Sequence, residues 1–261
     1  MKAKVNGIDV YYEIHGKEGA PWLTLSHSLA CSVRMWDEQI ASFKDRYRIL
    51  AYDTRGHGQT SAPRGAYTLE QMADDLKGLL EQLKISKTHY CGLSMGGMIG
   101  QTFALKYPGI LQTLVLADTS SRIPPESGPV WADRIRTAET KGMQPLVQPT
   151  LERWFTAPYR SAHPETMQRI GTLIANTPVA GYVGCCHAIP KLNLTARLKD
   201  IKVPIQIIVG ADDPGTPVAM SQAIHASAPG SRLDILPSAA HLSNIEQPAA
   251  FDRALGDFLA G

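Results

Sequence analysis

The sequence predicts an α/β fold with a mostly parallel eight-stranded sheet, helices on both faces and a helical cap inserted late in the chain. Short apolar runs typical of buried strands alternate with stretches of helical periodicity, and this alternation is typical of a parallel sheet with right-handed crossovers. The alternation stops between Ser120 and about Thr195, where no strand signal occurs. A length of 261 residues is enough for one such domain with a small insertion.

The elements of the sheet begin at the N-terminus. Alternating residues over 3–14 flank Asn6-Gly7, a strong signal for a two-residue hairpin turn. Thr68 to Gln71 form a capping box that opens a helix with apolar residues at helical spacing. The other elements predicted in this half are strands at 22–26, 48–52, 87–91 and 113–117 and helices at 35–44 and 95–106.

The segment from 120 to 195 contains helical fragments, many prolines and the tryptophans Trp131 and Trp154. We interpret it as a helical cap over the sheet. The core then resumes with strands at 204–209 and 232–236 and helices at about 217–227 and 248–259. The predicted domains are therefore a core made of 1–119 and 196–261 and a cap made of 120–195.

The composition argues against some classes of binding partner and cellular location. The net charge of +2 comes without a cluster of basic residues, which argues against nucleic acid. No apolar run approaches the roughly 18 residues of a membrane span, and the N-terminus lacks an apolar signal region, so no membrane association and a cytoplasmic location are expected. The four cysteines form no Cys-x-x-Cys pair and are expected to be buried and free. The oligomeric state is left open.

The stretch 92–96 reads Gly-Leu-Ser-Met-Gly and lies between a predicted strand and a predicted helix. In that context Gly-x-Ser-x-Gly is typical of a nucleophile elbow, in which a sharp turn exposes the central serine, here Ser94. The helix N-terminus then directs free N–H groups towards the reacting centre. The alternative is a glycine-rich turn with an incidental serine.

A serine hydroxyl needs a base of near-neutral pKa, and that base needs a carboxylate to orient it. His241 lies in the loop between the last strand and the last helix, where chain order predicts the base. Asp213 follows the preceding strand and is the favoured acid. Asp118, at the end of the sixth strand, is the alternative, and Asp212 is the weakest of the three aspartates.

The oxyanion of an acyl-transfer reaction needs preorganised donors. The backbone N–H groups of Met95 and Leu29 are the predicted pair, since they follow the nucleophile and the third strand. His27 and His57 are interpreted as residues that shape their loops. The sequence contains no phosphate-binding loop, no dinucleotide fingerprint and no metal-ligand spacing, so the chemistry is expected to need no cofactor and no metal.

Taken together, these motifs resemble those of the α/β-hydrolase superfamily and, within it, the 3-oxoadipate enol-lactonases of the β-ketoadipate pathway of aromatic-compound catabolism. The matching stretches span nearly the whole chain. They are Met35 to Asp37, Tyr52 to Gly58, Cys91 to Gly97, Glu152 to Thr156, Gly181 to Cys186 and Ala240 to Pro248. The two stretches in the cap are the more specific ones. One departure is 27–30, which reads His-Ser-Leu-Ala where Asn-Ser-Leu-Gly is expected in many relatives.

The resemblance implies hydrolysis of a small-molecule lactone, 3-oxoadipate enol-lactone, by the triad Ser94, Asp213 and His241. General carboxylesterases and cofactor-free perhydrolases share this triad and differ in the cap. A non-catalytic ligand-binding protein on the same scaffold is a further alternative, and it would retain ligand without turnover.

The enol-lactone carries a carboxylate, and burial of a carboxylate under a cap is costly unless it is paired. Trp131 and Arg134 share a helical face at a spacing of i, i+3 and, with Trp154, are predicted to line the pocket. Arg153 is expected to point elsewhere, because adjacent residues on a helix diverge. The other cations considered are Arg136, Arg160, Lys191, His187 and Arg34.

Overall fold

The structure is a computed structural model that describes residues 1–261, and it confirms the predicted fold class. The strands are β1 (Lys2–Val5), β2 (Ile8–His15), β3 (Trp22–Ser26), β4 (Arg48–Tyr52), β5 (Thr88–Leu93), β6 (Leu111–Ala117), β7 (Ile205–Gly210) and β8 (Arg232–Leu236). The helices are α1 (Asp37–Phe43), α2 (Leu69–Gln82), α3 (Met95–Lys106), α4 (Gly128–Lys141), α5 (Gln144–Trp154), α6 (Ala157–Ala162), α7 (Pro164–Asn176), α8 (Val179–Ala188), α9 (Val218–Ser227), α10 (Ser243–Glu246) and α11 (Pro248–Leu259).

The eight strands form one sheet in the order β1-β2-β4-β3-β5-β6-β7-β8. β1 and β2 form the predicted antiparallel hairpin, and Asn6 and Gly7 at its turn have φ of 47° and 78°, as a type I′ turn requires. β2 pairs antiparallel with β4, and the remaining pairs are parallel. β3 lies between β4 and β5, so the loops that follow β3 and β5 leave a crevice at the carboxyl edge of the sheet.

Apolar side chains cover both faces of the sheet. One cluster of 23 buried residues includes residues of α2, α3 and α9, and another of 45 includes residues of α1, α11 and the cap. The parallel strands read as continuous apolar runs because they are buried on both sides. The predicted capping interaction is present at the start of α2, where the Thr68 hydroxyl accepts the N–H of Gln71 at 3.0 Å.

Helices α4 to α8 lie between β6 and β7 in the chain and form the helical cap. The cap packs on the loop after β4 through α8. A Cβ added to Gly181 would lie 1.8 Å from the carbonyl oxygen of Gly56, so this contact requires glycine. Nearby, the N–H of Tyr67 donates to the carbonyl of Gly184 at 3.0 Å. The exact domain boundaries at 119/120 and 195/196 stay predictions.

Several local features differ from the sequence-based expectation or extend it. β5 continues to Leu93 and β6 begins at Leu111, so both strands are longer than predicted. The short helix α10 has no counterpart among the predicted elements. All four cysteines are buried and free. None of the helices combines the length and the apolar character needed to cross a membrane.

Candidate active site

Ser94 lies in the turn between β5 and α3. Its φ of 56° and ψ of −116° place it in a region that non-glycine residues rarely adopt, as in a nucleophile elbow. The turn is tight on both sides. A Cβ on Gly92 would lie 2.3 Å from the carbonyl oxygen of Gly96, and a Cβ on Gly96 would lie 2.1 Å from that of Ser26. The two glycines therefore allow the helix to start directly behind the serine.

Three loops at the carboxyl edge of the sheet bring Ser94, His241 and Asp213 together. Nε2 of His241 lies 2.9 Å from Oγ of Ser94, and Nδ1 lies 2.7 Å from Oδ2 of Asp213. Because the aspartate can only accept, Nδ1 carries the proton and Nε2 is free to accept one from the serine hydroxyl. This is the geometry of a serine–histidine–aspartate triad.

The carboxylate of Asp213 is held by its own loop. Oδ1 accepts the N–H groups of Gly215 at 2.7 Å and Thr216 at 3.0 Å, and Oδ2 accepts the Thr216 hydroxyl at 2.6 Å. Burial alone raises the pKa of Asp213, but the positive charge of His241 and these hydrogen bonds outweigh burial and lower it. Burial likewise lowers the pKa of His241, and the charge and hydrogen bond of Asp213 outweigh that and raise it. The pair therefore favours an ionised aspartate beside a basic imidazole.

The rival acid, Asp118, is fully buried at the end of β6 and makes no hydrogen bond to His241. Its Oδ1 accepts the N–H of Gly210 at 2.8 Å, and its Oδ2 accepts the hydroxyl of Ser243 at 2.5 Å. Burial, and then repulsion by Asp213, raises the pKa of Asp118 to about 8. Asp212 is exposed. Of the three aspartates, only Asp213 contacts the imidazole.

The predicted oxyanion donors are the N–H groups of Leu29 and Met95. Neither makes a hydrogen bond within the protein. Met95 is the first residue of α3, so its N–H has no intrahelical partner, and Leu29 lies in the adjacent loop after β3. Leu29 lines the cavity that contains Ser94, and Met95 directly follows Ser94 in the chain.

Two buried histidines hold the Leu29 loop in place. Nε2 of His57 accepts the N–H of Ala30 at 3.0 Å, and Nε2 of His27 accepts the N–H of Thr54 at 3.0 Å. Ala30 has a φ of 59°, which only a fixed loop imposes on alanine. Burial lowers the pKa of His27 to about 4 and, with a smaller contribution from the charge of His27, that of His57 to about 3. Both rings are therefore neutral acceptors near neutral pH.

A cavity of about 260 Å³ lies above Ser94, between the core and the cap. The three residues predicted to line the pocket, Trp131, Arg134 and Trp154, all do so. Arg153 lines it too, so the expectation that it points elsewhere is wrong. Thr150, Arg153 and Trp154 are spaced i, i+3 and i+4 on α5 and all three line the cavity, so the side of the helix that borders it is wide enough for two adjacent residues. The remaining cations considered do not line this cavity; they are Arg34, Arg136, Arg160, His187 and Lys191.

The cap end of the cavity is positively charged. The guanidinium of Arg134 lies over the ring of Trp131 at 4.6 Å, and that of Arg153 donates to the hydroxyl of Thr150 at 3.0 Å. Neither arginine forms an ion pair with a carboxylate of the protein. Burial and the charge of Arg134 lower the pKa of Arg153 to about 10. Two close cations without a carboxylate partner form a site suited to an anion.

Comparison with known proteins assigns the chain to a family. The model of the alpha/beta hydrolase fold family matches residues 21–248. The chain is an α/β hydrolase. A crystal structure of the enol-lactonase from Burkholderia xenovorans LB400 superposes on the hydrolase with a TM-score of 0.96 and 38% sequence identity, covering 100% of both chains.

Among curated proteins, the hydrolase is 36% identical over 244 residues to 3-oxoadipate enol-lactonase 2 of Acinetobacter baylyi. The aligned residues cover 94% of this chain and 90% of that protein. It is 30% identical to a putative carbamate hydrolase, RutD, of Agrobacterium fabrum, over 96% of this chain and 98% of that protein. These similarities confirm the predicted superfamily and the likeness to the enol-lactonases. The hydrolase is thus an enzyme of a family that includes lactonases.

Proposed function

We propose that the enzyme hydrolyses 3-oxoadipate enol-lactone to 3-oxoadipate through an acyl-enzyme on Ser94. The observation that carries this proposal is the cavity itself, which is lined both by the Ser94–His241 pair and by Arg134 and Arg153, two guanidinium groups without a carboxylate partner. A small lactone with one carboxylate matches both features. The similarity to enol-lactonases over nearly the whole chain supports the same substrate.

In the first step, Oγ of Ser94 attacks the lactone carbonyl while its proton passes to Nε2 of His241, 2.9 Å away. Asp213 stabilises the imidazolium through its bond to Nδ1. The negative charge that develops on the carbonyl oxygen is accepted by the free N–H groups of Leu29 and Met95.

In the second step, the acyl–oxygen bond of the ring breaks. The leaving enol oxygen takes the proton back from His241, and the enol later ketonises. The ester on Ser94 is then hydrolysed by a water molecule, with His241 as general base. The product is a dicarboxylate, because the carbonyl that was attacked becomes a second carboxylate.

We place the substrate carboxylate beside Arg134 and Arg153, neither of which has a carboxylate partner in the protein. The cavity buries this carboxylate, so a charge-assisted hydrogen bond there contributes more than it would in water. The ring of Trp131 stabilises the guanidinium of Arg134 by a cation–π contact at 4.6 Å. Binding energy at this remote group positions the lactone carbonyl over Ser94.

The decisive experiment follows the loss of enol-lactone absorbance in the ultraviolet with purified protein. A neutral aryl ester, acetate with peroxide, and a simple carbamate are assayed in parallel, since they represent the carboxylesterase, perhydrolase and carbamate-hydrolase alternatives. The enol-lactone is expected to give the highest kcat/KM, and Ser94→Ala is expected to abolish turnover without unfolding the protein. A faster rate on any of the other substrates, or normal turnover by folded Ser94→Ala, would contradict the proposal. The cytoplasmic location stays a prediction.

A further inference from the structure

Glu246 is a buried carboxylate, only 5% exposed, at the end of α10. No cation of the protein forms an ion pair with it. Its oxygens accept hydrogen bonds from two residues instead. Oε2 accepts the N–H of Ala240 at 2.9 Å, while Oε1 accepts the N–H of Thr156 at 3.0 Å and also the Thr156 hydroxyl. Burial of an unpaired carboxylate is costly, so this arrangement depends on its three donors.

These donors belong to two parts of the enzyme that are distant in sequence. Ala240 directly precedes His241, the catalytic base in the mechanism proposed above. Thr156 belongs to the cap and follows Trp154, which lines the substrate cavity, by two residues. One carboxylate thus connects the loop of the base with the segment of the cap that contacts the substrate.

Three further contacts join the same two segments. The N–H of Leu242 donates to the carbonyl of Trp154 at 3.1 Å, and the hydroxyl of Tyr159 donates to the carbonyl of Ile245 at 3.1 Å. The ring of Trp154 lies 6.3 Å from that of His241 at an interplanar angle of 29°. A displacement of the cap segment would therefore move the imidazole of His241, and a displacement of the His241 loop would move the cap segment.

We propose that Glu246 is a positioning residue that holds the cap wall of the substrate cavity and the loop of His241 in one fixed arrangement. This inference rests on the proposed role of His241 as the base. A carboxylate suits this position, since its two oxygens accept from all three donors and place no N–H group of their own there. A glutamine at this position would direct its own N–H groups at the N–H of Ala240 or of Thr156.

The test compares Glu246→Gln and Thr156→Val with Glu152→Gln. Glu152 is a matched control, an exposed carboxylate of α5 that accepts only the side-chain amide of Gln148, at 2.9 Å. Two substrates are used: the enol-lactone, whose carboxylate is proposed to bind Arg134 and Arg153 of the cap, and the acetyl ester of a nitrophenol, which has no carboxylate for these arginines to bind. Values of kcat and KM and the melting temperature are measured for each protein.

For Glu246→Gln, we expect kcat to fall by about 10- to 100-fold on both substrates, because a misplaced base slows chemistry on any ester. KM is expected to rise on the lactone only. For Thr156→Val, which removes only a hydroxyl of the cap, we expect KM for the lactone to rise by about three- to tenfold and kcat for the aryl ester to stay within about twofold. Glu152→Gln is expected to match the wild type.

A lower melting temperature of Glu246→Gln with kcat unchanged on both substrates would show that Glu246 only stabilises the fold, and would overturn the inference. If Glu246→Gln does not fold, Thr156→Val decides, and an unchanged KM for the lactone overturns the inference. A wild-type enzyme that turns over the aryl ester but not the lactone would contradict the proposed substrate instead. In that case the fall in kcat on the aryl ester still tests the role of Glu246.

Discussion

Replacement of Asp213 by asparagine tests the most specific part of the mechanism. The substitution keeps the shape of the side chain, and the Asn oxygen can still accept the N–H groups of Gly215 and Thr216 that now bind Oδ1. The amide nitrogen then occupies the position of Oδ2, 2.7 Å from Nδ1 of His241. Because that nitrogen can only donate, Nδ1 becomes the acceptor and the proton moves to Nε2.

A proton on Nε2 faces Oγ of Ser94 across 2.9 Å, where the base has to accept. The imidazole is then in the wrong tautomer, and its cation loses its ionic partner. The loss of kcat expected for such a change is about 10⁴-fold, as in other serine triads. That factor corresponds to about 5 kcal/mol of lost transition-state stabilisation.

Asp118→Asn is the matched control, since it replaces a second buried aspartate of the same site. Burial and the charge of Asp213 raise the pKa of Asp118 and so favour its neutral form, which a neutral amide resembles. Asparagine can still accept the N–H of Gly210 and can donate to the hydroxyl of Ser243. We expect kcat to fall by less than about tenfold.

Both variants are assayed by the ultraviolet loss of enol-lactone, with melting temperatures as a check on folding. A larger loss in Asp118→Asn than in Asp213→Asn would refute the reasoning and assign the acid to the end of β6. Equal losses in the two variants would refute it as well, because they would show that tautomer control by Asp213 is not what limits the rate.

The remaining predictions concern the substrate carboxylate and the buried histidines. Arg134→Ala should lower kcat/KM for the charged lactone by a factor about 30-fold or more larger than the factor for a neutral aryl ester, because a buried charge-assisted hydrogen bond is lost. Arg136→Ala, at an exposed arginine, is the control. Equal losses on both substrates would show that Arg134 only supports the cap. In the unfolded protein His57 becomes protonated as the pH falls below its usual pKa of 6.5. In the folded protein the pKa of His57 is about 3, so the ring is protonated only below that pH. Stability should therefore be fully present above pH 6.5 and decline as pH falls through the window between these values, by about 1.4 kcal/mol per unit. His57→Gln, which keeps an acceptor for the N–H of Ala30 but does not titrate, should reduce this slope in urea denaturation; an unchanged slope would contradict the prediction.

The nucleophile turn is the part of the site that a local stretch of sequence determines. The strained backbone at Ser94 needs a strand, two glycines and a helix start within a few consecutive residues, so the pattern can be read without the rest of the fold. Chain order places His241 and Asp213 after late strands. Because the carboxyl ends of parallel strands meet at one edge of a sheet, this order also predicts that both residues lie near Ser94. The buried parallel strands and the hairpin at Asn6-Gly7 were also predictable, because each of them depends on a short stretch of consecutive residues.

Contacts between distant segments could be decided only by the tertiary structure. Asp118 and Asp213 both follow late strands, and only the packing of three loops directs one carboxylate at the imidazole and the other at Ser243. The inward position of Arg153 depends on which side of α5 the packing of the cap turns towards the cavity, and the spacing of residues within the helix does not determine that. The contact of Glu246 with Thr156 joins residues 90 positions apart, so no pattern along the chain indicates it. Sequence periodicity records which face of an element is buried, whereas the partner across that face is set by the path of the whole chain.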